Sequence, residues 1–557
     1  MNNADPASPT ADGANPGGPN AELERDSSMP RGVPFIVGNE AAERFSYYGM
    51  RSILAGYITG AVLEGGLGQS KDRSTEIIHL FVFANYFMPL IGAWFSDKIV
   101  GRYHTILWVS LFYCAGHGVL ACSDRFVDVH GKLMCLGVGL SLIAFGSGGI
   151  KPCVSAFMGD QFKPNQAHLL QKAYGAFYWS INFGSFFAFI LIPMIQKHYG
   201  YSWAFGVPGI VMALATFIFW LGTKNYVRVP PARHTKQAGF FKVFWHAYKT
   251  DRNFKVRSTL NILASLGLPL LAMILMSYLS FVEGLSPATK AVGWCAFGCI
   301  AIWYLLVIGL SLSRSTELPD RFWLAASDRF NEREISAAKS LGPILFVFAF
   351  VPIFWSLFDQ TNSTWVLQGK QMIPANILGL EIGADEMQSA NALIVMILVP
   401  LFTLVLYPRM GKLAAPLRRM SYGMFFAAAA YVVVSGLQKK IDSGAHLSVL
   451  WQTVPYLILT TAEVLISTTG LEFAFREAAP EMKSLIMSCW LLTVSLGNLF
   501  VAFFTKMFAS AGGEKSAESV SPGRFLIFAG LTFAVAIIFS VVTTVYRYRD
   551  KEAAEGR

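Results

Sequence analysis

Charge is scarce in this chain. Only 14% of its 557 residues are Asp, Glu, Lys or Arg, while 54% are hydrophobic. That balance excludes an ordinary soluble globular protein and fits a chain crossing a bilayer many times. No GxxxxGK[ST] loop occurs, which excludes a phosphate cradle of the ATP-hydrolysing kind. There is no HExxH, no GxSxG and no cluster of His and Asp ligands in the apolar segments, so neither a metal centre nor a hydrolase nucleophile is indicated. Seven cysteines (114, 122, 135, 153, 295, 299 and 489) lie in or beside apolar segments without CxxC spacing, and read as buried free thiols. Cys122 and Cys135 flank a short loop, which leaves a disulfide between them open. The first 28 residues contain no apolar run. They read as a disordered tail without a signal peptide.

What is present is a series of apolar runs of bilayer-spanning length. They fall near 32–63, 74–98, 103–123, 132–158, 169–196 and 201–222, then 258–283 and 289–313, then 337–367, 386–408, 416–437, 449–475, 482–511 and 524–547. The net charge of +10 is concentrated between these runs: Lys98 and Arg102, Lys224 to Arg257, Arg314 to Lys339, Arg409 to Arg419, and Arg547 to Lys551. By the positive-inside rule all these segments face the cytoplasm, so both termini do too. The basic segments carry no nucleic-acid motif and adjoin membrane spans, so no nucleic-acid partner is expected. The predicted division is a tail at 1–28, a six-helix bundle at 29–224, a connector at 225–257, an inserted helix pair at 258–313, a connector at 314–336, a second six-helix bundle at 337–548 and a tail at 549–557. The first connector has an amphipathic stretch from Phe240 to Tyr248.

One span is unusually polar. Glu40, Glu43, Arg44, Tyr47, Tyr48 and Arg51 share one side of a helix at about 100° per residue. An ionisable side chain at membrane depth costs about 2.5–3.5 kcal/mol on insertion scales, so such a stripe faces a protein interior or a wet cavity. The structural alternative is a buried ion-pair cluster that locks helices together.

The layout of six spans, two spans and six spans resembles the major facilitator superfamily, in which a substrate cavity lies between two six-helix halves. The expected fold is therefore all-α and membrane-embedded: two six-helix bundles plus the inserted pair, 14 spans in all. The stretch Gly92-Ala-Trp-Phe-Ser-Asp97-Lys98-Ile-Val-Gly101-Arg102 resembles the loop between that superfamily's second and third helices. The resemblance implies a cytoplasmic gate at Asp97 and Arg102.

Longer motifs narrow the resemblance. Glu40-Ala-Ala-Glu43-Arg44-Phe45-Ser-Tyr47-Tyr48-Gly49, Gly148-Gly149-Ile150-Lys151-Pro152 and Gly159-Asp160-Gln161-Phe162 occur in the first half, as does Phe177-Tyr178-Trp179-Ser180-Ile181-Asn182-Phe183-Gly184-Ser185. Phe354-Trp355-Ser-Leu-Phe-Asp359-Gln360, Gln388-Ser-Ala-Asn391, Glu463, Gly470-Leu471-Glu472-Phe473, Met482-Lys483-Ser484 and Trp490 follow in the second. Together they resemble the proton-coupled oligopeptide transporters. That resemblance implies import of di- and tripeptides in symport with protons, with the proton as coupling ion and no other cofactor. It also implies a monomeric, multi-pass protein of the cell membrane, and no enzymatic activity.

A short peptide is a zwitterion, and two extended residues span at most about 7 Å. A cavity with a basic wall facing an acidic one suits it. By the resemblance, Arg51 and Lys151 would take the carboxylate and Glu463 the amino terminus. Asn182 and Asn391 would bond the backbone, while Tyr47, Tyr48, Tyr86, Trp355 and Trp490 shape side-chain pockets. The tryptophans read equally as core aromatics, and the asparagines as helix-to-helix bonds. Proton coupling would fall to Glu40, Glu43, Arg44, His79 and Asp359. His79 stands near the outer end of its span, on one face with Tyr86, where its ring can sample external pH; a structural histidine is the alternative. Phe358 stands where many members carry a glutamate, and Pro343 where animal members carry a basic residue. Two rival readings stay open: the same fold carrying another small anion or an amino acid, and a membrane-embedded peptide-processing enzyme.

Overall fold

The computed structural model describes residues 28–163, 166, 169–231, 239–250, 320–479, 482–509 and 519–546. The expected helix pair at 258–313 and most of both tails lie outside the described residues. The first half is built from α1 (Val33–Thr59), α2 (Lys71–Phe95), α3 (Arg102–Ala121), α4 (Val129–Gly159) and α5 (Leu170–Leu221). At 1.5 Å per residue, the 52 residues of α5 run to about 78 Å, far more than one crossing needs. Gly200, at φ 81°, breaks α5 into two crossings that meet there. The first half thus makes six crossings.

Local signals set these elements. Ser70 caps α2 by accepting from Arg73 N at 3.1 Å, and Asp128 caps α4 by accepting from Gly131 N at 2.6 Å. Gly101, at φ 90°, turns the chain from the end of α2 into α3. Gly148 of the Gly148-Gly149 motif lies so close to Met88 of α2 that a Cβ there has no room, and Gly92 meets the Gly148 carbonyl in the same way. Small residues let two membrane helices approach this closely.

The amphipathic stretch is α6 (Phe240–Thr250), whose Val243 and Ala247 pack on Phe322, Trp323, Ala326 and Ala338. Phe322 and Trp323 belong to α7 (Asp320–Leu324), and Ala338 to α8 (Glu332–Lys339).

The second half begins with a broken crossing: α8 and α9 (Leu341–Phe348) bend by 44° into α10 (Val351–Phe358) and α11 (Thr364–Gly369). A small hairpin, β1 (Ala375–Ile377) against β2 (Leu380–Ile382), leads to α12 (Ser389–Pro400). Then come α13 (Pro416–Asp442), α14 (Thr453–Glu463), α15 (Thr469–Glu477), α16 (Lys483–Ala509) and α17 (Pro522–Val545). Among the described residues nine helices are long and apolar enough to cross a membrane, ten with the bent pair. The charged α1 fails that test and α5 counts twice, which gives six crossings in each half. The chain is a multi-pass membrane protein. Five described cysteines are free: Cys114, Cys122, Cys135, Cys153 and Cys489.

Candidate functional site

α1, α2 and α5 of the first half face α10, α12 and α14 of the second across a cavity of about 170 Å³. Tyr48, Arg51, Tyr86 and Asn182 line one side, and Trp355, Asp359, Asn391 and Glu463 the other. The motif side chains come together here because the polar stripe of α1 has a helical period and its Arg51 end points between the halves.

The ends of the cavity differ. Toward Asp97 lies a second, larger opening of about 750 Å³, lined by Ala93, Asp97, Pro152 and Tyr174 of the first half and Met487 and Leu491 of the second. At the other end the halves touch. Arg51 Nη2 lies 2.7 Å from Asp359 Oδ1, and both side chains are buried. Asn498 Nδ2 donates to the other Asp359 oxygen at 2.7 Å. The Asn498 carbonyl then faces His79 Nδ1 at 2.7 Å, so Nδ1 carries the proton and His79 Nε2 accepts from Ser363 Oγ at 2.9 Å. Arg51, Asp359, Asn498, His79 and Ser363 form one continuous chain across the interface. His79 and Asp359 are joined through Asn498.

Several expected residues stand off the cavity wall. Tyr47 is fully buried and its phenol oxygen accepts from Asn85 at 3.0 Å. Trp490 packs on Phe348 and Trp355, with ring centroids at 5.1 and 6.2 Å. Lys151, expected beside Arg51 as a carboxylate ligand, instead holds its ammonium 4.0 Å from the Tyr86 ring and 4.4 Å from the Tyr47 ring, and makes no hydrogen bond. Aromatic faces attract a cation electrostatically, which suits a lysine that has left bulk water. Arg44 lies between two carboxylates, 2.6 Å from Glu40 and 3.2 Å from Glu43. Asn391 donates to Glu463 at 2.8 Å and to Thr460 at 3.0 Å, while Asn182 bonds only its own helix at Tyr178 O.

At the other end Arg102 lies 3.2 Å from Asp97 and also binds both oxygens of Asp160 at 2.7 Å. All three belong to the first half, so this cluster ties α2, α3 and α4 together without bridging to the second. Burial pushes the Asp160 carboxyl above its ordinary value, against the opposing pull of Arg102.

Sequence reading missed Asn498, Ser363 and Asn85. Asn85 and Asn498 are lone polar side chains in apolar helices, and Ser363 is one of a polar run at the break before α11; neither signal by itself points further than a helix contact.

Comparison with known proteins decides the family. The sequence model of the POT family matches residues 103–291 and 305–519. The chain belongs to the POT family. Its relatives include mouse solute carrier family 15 member 2, 32% identical over 457 residues, covering 80% of this chain and 54% of that protein. Drosophila melanogaster peptide transporter family 1 is 32% identical over 427 residues, covering 75% and 49%. The chain thus spans about half the length of the curated relatives it matches. The crystal structure of an auto-inhibited POT family peptide transporter is 38% identical and covers 94% of this chain and 98% of its own, at a TM-score of 0.75. The POT family transporter PepTSo is 37% identical, covering 93% and 99%, at 0.74. The fold is the all-α major facilitator fold of POT transporters.

Proposed function

We propose that this POT family chain imports di- and tripeptides in symport with protons by alternating access. One observation carries the reading: a small cavity between the halves, with the Arg51 guanidinium on one wall and the Glu463 carboxylate on the other. Such walls complement the two ends of a zwitterion. Arg51 Nε, Trp355 Nε1, Asn362 Oδ1 and Gln388 Oε1 are buried there without a hydrogen-bond partner, so a polar ligand finds donors and acceptors ready. The matched relatives carry the names of solute carriers and peptide transporters, which supports the substrate class and opposes the enzyme reading.

The geometry suggests the order of events. Asp359 holds Arg51 while it is ionised. A proton reaching Asp359 from the cavity releases Arg51 for the peptide carboxylate, and the Asn498 amide, bonded to His79 and Asp359 at once, couples the charge state of the imidazole to the carboxylate through its hydrogen bonds. Glu463, oriented by Asn391, receives the ammonium. Glu40, Glu43 and Arg44 form a second proton-sensitive cluster beside Lys151. One charge moving through 100 mV supplies about 2.3 kcal/mol, enough to drive accumulation without ATP. The proton is the coupling ion, and no other cofactor is required. The basic segments between the spans support a reading in which both termini are cytoplasmic, the Asp97 end lies on the inside of the cell membrane and the chain acts as a monomer.

The cavity volume favours one rival. At about 170 Å³ it lies below the 300–1,000 Å³ of drug-sized ligand sites, so a single amino acid or a small anion fits more readily than a tripeptide. Dialanine uptake into proteoliposomes under an inward proton gradient separates the two readings. Accumulation that collapses with a protonophore and in Glu463→Gln supports peptide symport. Exchange of an amino acid or anion without peptide uptake supports the rival.

A further inference from the structure

The amphipathic helix α6 takes no part in the cavity, and its apolar residues are unequally covered. Val243 and Ala247 are fully buried against Phe322 and Trp323 of α7 and Ala338 of α8. Phe240, beside them, also touches the core of the main body. A second apolar face adjoins this one. Phe241, Trp245 and Tyr248 share it, by their spacing of four and three residues. Phe241 is 70% exposed and Trp245 55%. Trp245 stacks on Tyr248 with ring centroids 5.6 Å apart, which joins the aromatics into one plate.

Cations border that plate. Lys242 and Lys249, seven residues apart, run along the helix next to the aromatics, and both are exposed. Lys249 Nζ lies 5.7 Å from the centre of the Trp245 ring. Neither lysine pairs with a carboxylate among the described residues. Asp328, which reaches α6 from beyond α7, is paired with His246 at 2.8 Å.

Two adjoining apolar faces need two different surroundings. Protein covers the first. The second combines exposed aromatics with flanking lysines, which is the composition of a helix lying in a membrane interface. Lysine stems can run along apolar surface there while their ammonium groups reach the phosphates. Charge selects the lipid: residues 225–257, which hold α6 between two membrane crossings, carry eight Lys and Arg against one Asp. A negatively charged headgroup layer attracts such a segment. The contact also has a route into the carrier. From α8 the chain passes through Ser340 into α9, and on into the crossing that carries Trp355 and Asp359.

We propose that α6 is a binding site for anionic phospholipid headgroups. Phe241, Trp245 and Tyr248 enter the headgroup layer, and Lys242 and Lys249 take the phosphates. The helix thereby holds α7 and α8, and with them the start of the Trp355–Asp359 crossing, at a fixed height in the membrane. The site does not depend on which solute the carrier moves. Only its assignment to the inner leaflet rests on the orientation given above.

Hydrogen exchange of residues 240–250 tests the site, with the full chain in nanodiscs of phosphatidylcholine alone or mixed with phosphatidylserine. Both faces of a nanodisc hold the same lipid, so the outcome does not depend on the chain's orientation. Phosphatidylserine should slow exchange about fivefold in the wild-type chain. Lys242→Gln with Lys249→Gln should exchange at one rate in both lipids, while Lys242→Arg with Lys249→Arg should keep the difference. Phe241→Ser with Trp245→Ser should exchange faster than wild type in either lipid. All these variants change exposed side chains and leave the packing of Val243 and Ala247 in place. Equal wild-type rates in the two lipids overturn the site, as does a phosphatidylserine effect that survives loss of both lysines. Protection in lipid-free detergent that rises with protein concentration assigns the face to a second copy of the chain, and overturns it too.

Discussion

Arg51 and Asp359, 308 residues apart in the chain, meet at 2.7 Å in the interface between the two halves. One partner comes from the polar stripe of α1 and the other from the end of α10, so this single pair couples the halves at the level of the cavity. Removing one member of such a buried pair strands the other. Asp359→Ala should destabilise the protein by about 3–5 kcal/mol, whereas Arg51→Met with Asp359→Leu should recover most of the loss. Thermal unfolding of the purified protein in detergent checks both.

The carboxylates of α1 are expected to couple protons without being needed for exchange. Glu43→Gln should retain exchange of dialanine across the membrane but lose its proton-driven accumulation. Normal accumulation in that variant would remove Glu43 from the coupling path.

His79 reaches Asp359 only through Asn498. Asn498→Leu should therefore impair gradient-driven uptake nearly as much as His79→Leu does, and the double variant should be no worse than either. Additive losses in the three variants would show that the histidine works by another route.

Glu463 is oriented by Asn391 and placed for an ammonium group. Hydrogen bonds to charged groups are worth about 1.5–3 kcal/mol, so Glu463→Gln should raise the KM for dialanine roughly tenfold or more. The KM for N-acetylated dialanine should hardly move. Equal effects on both substrates would place the amino terminus elsewhere.

The motif glycines of α4 are predicted to matter for packing. Gly148→Ala puts a Cβ into Met88, where overpacking costs typically about 1–3 kcal/mol. The variant should unfold at lower temperature, while Gly137→Ala, which meets open space, should not.

Much of this molecule could be read from its residues in order. The crossings follow from runs of apolar side chains, because the bilayer imposes a length and backbone hydrogen bonding imposes a helix. The stripe from Glu40 to Arg51 was legible because a helix repeats its faces at a fixed interval. The family resemblance picked out part of the cavity wall from the sequence: Tyr48, Arg51, Tyr86, Asn182, Trp355, Asp359, Asn391 and Glu463 all line it.

Other features depended on which helix packs against which. Nothing near Lys151 in the sequence says that its ammonium stacks on Tyr86 instead of facing the cavity, nor that Tyr47 turns to Asn85. Asn498 becomes the link between His79 and Asp359 only when α16 lies beside α2 and α10. Lys197 and Glu386 are a lysine and a glutamate among many until the hairpin segment folds over the ends of α1 and α5. Local spacing fixes the direction a side chain leaves its own helix. Its partner across the interface is set by how two separately formed bundles dock, and that docking appears in no stretch of sequence.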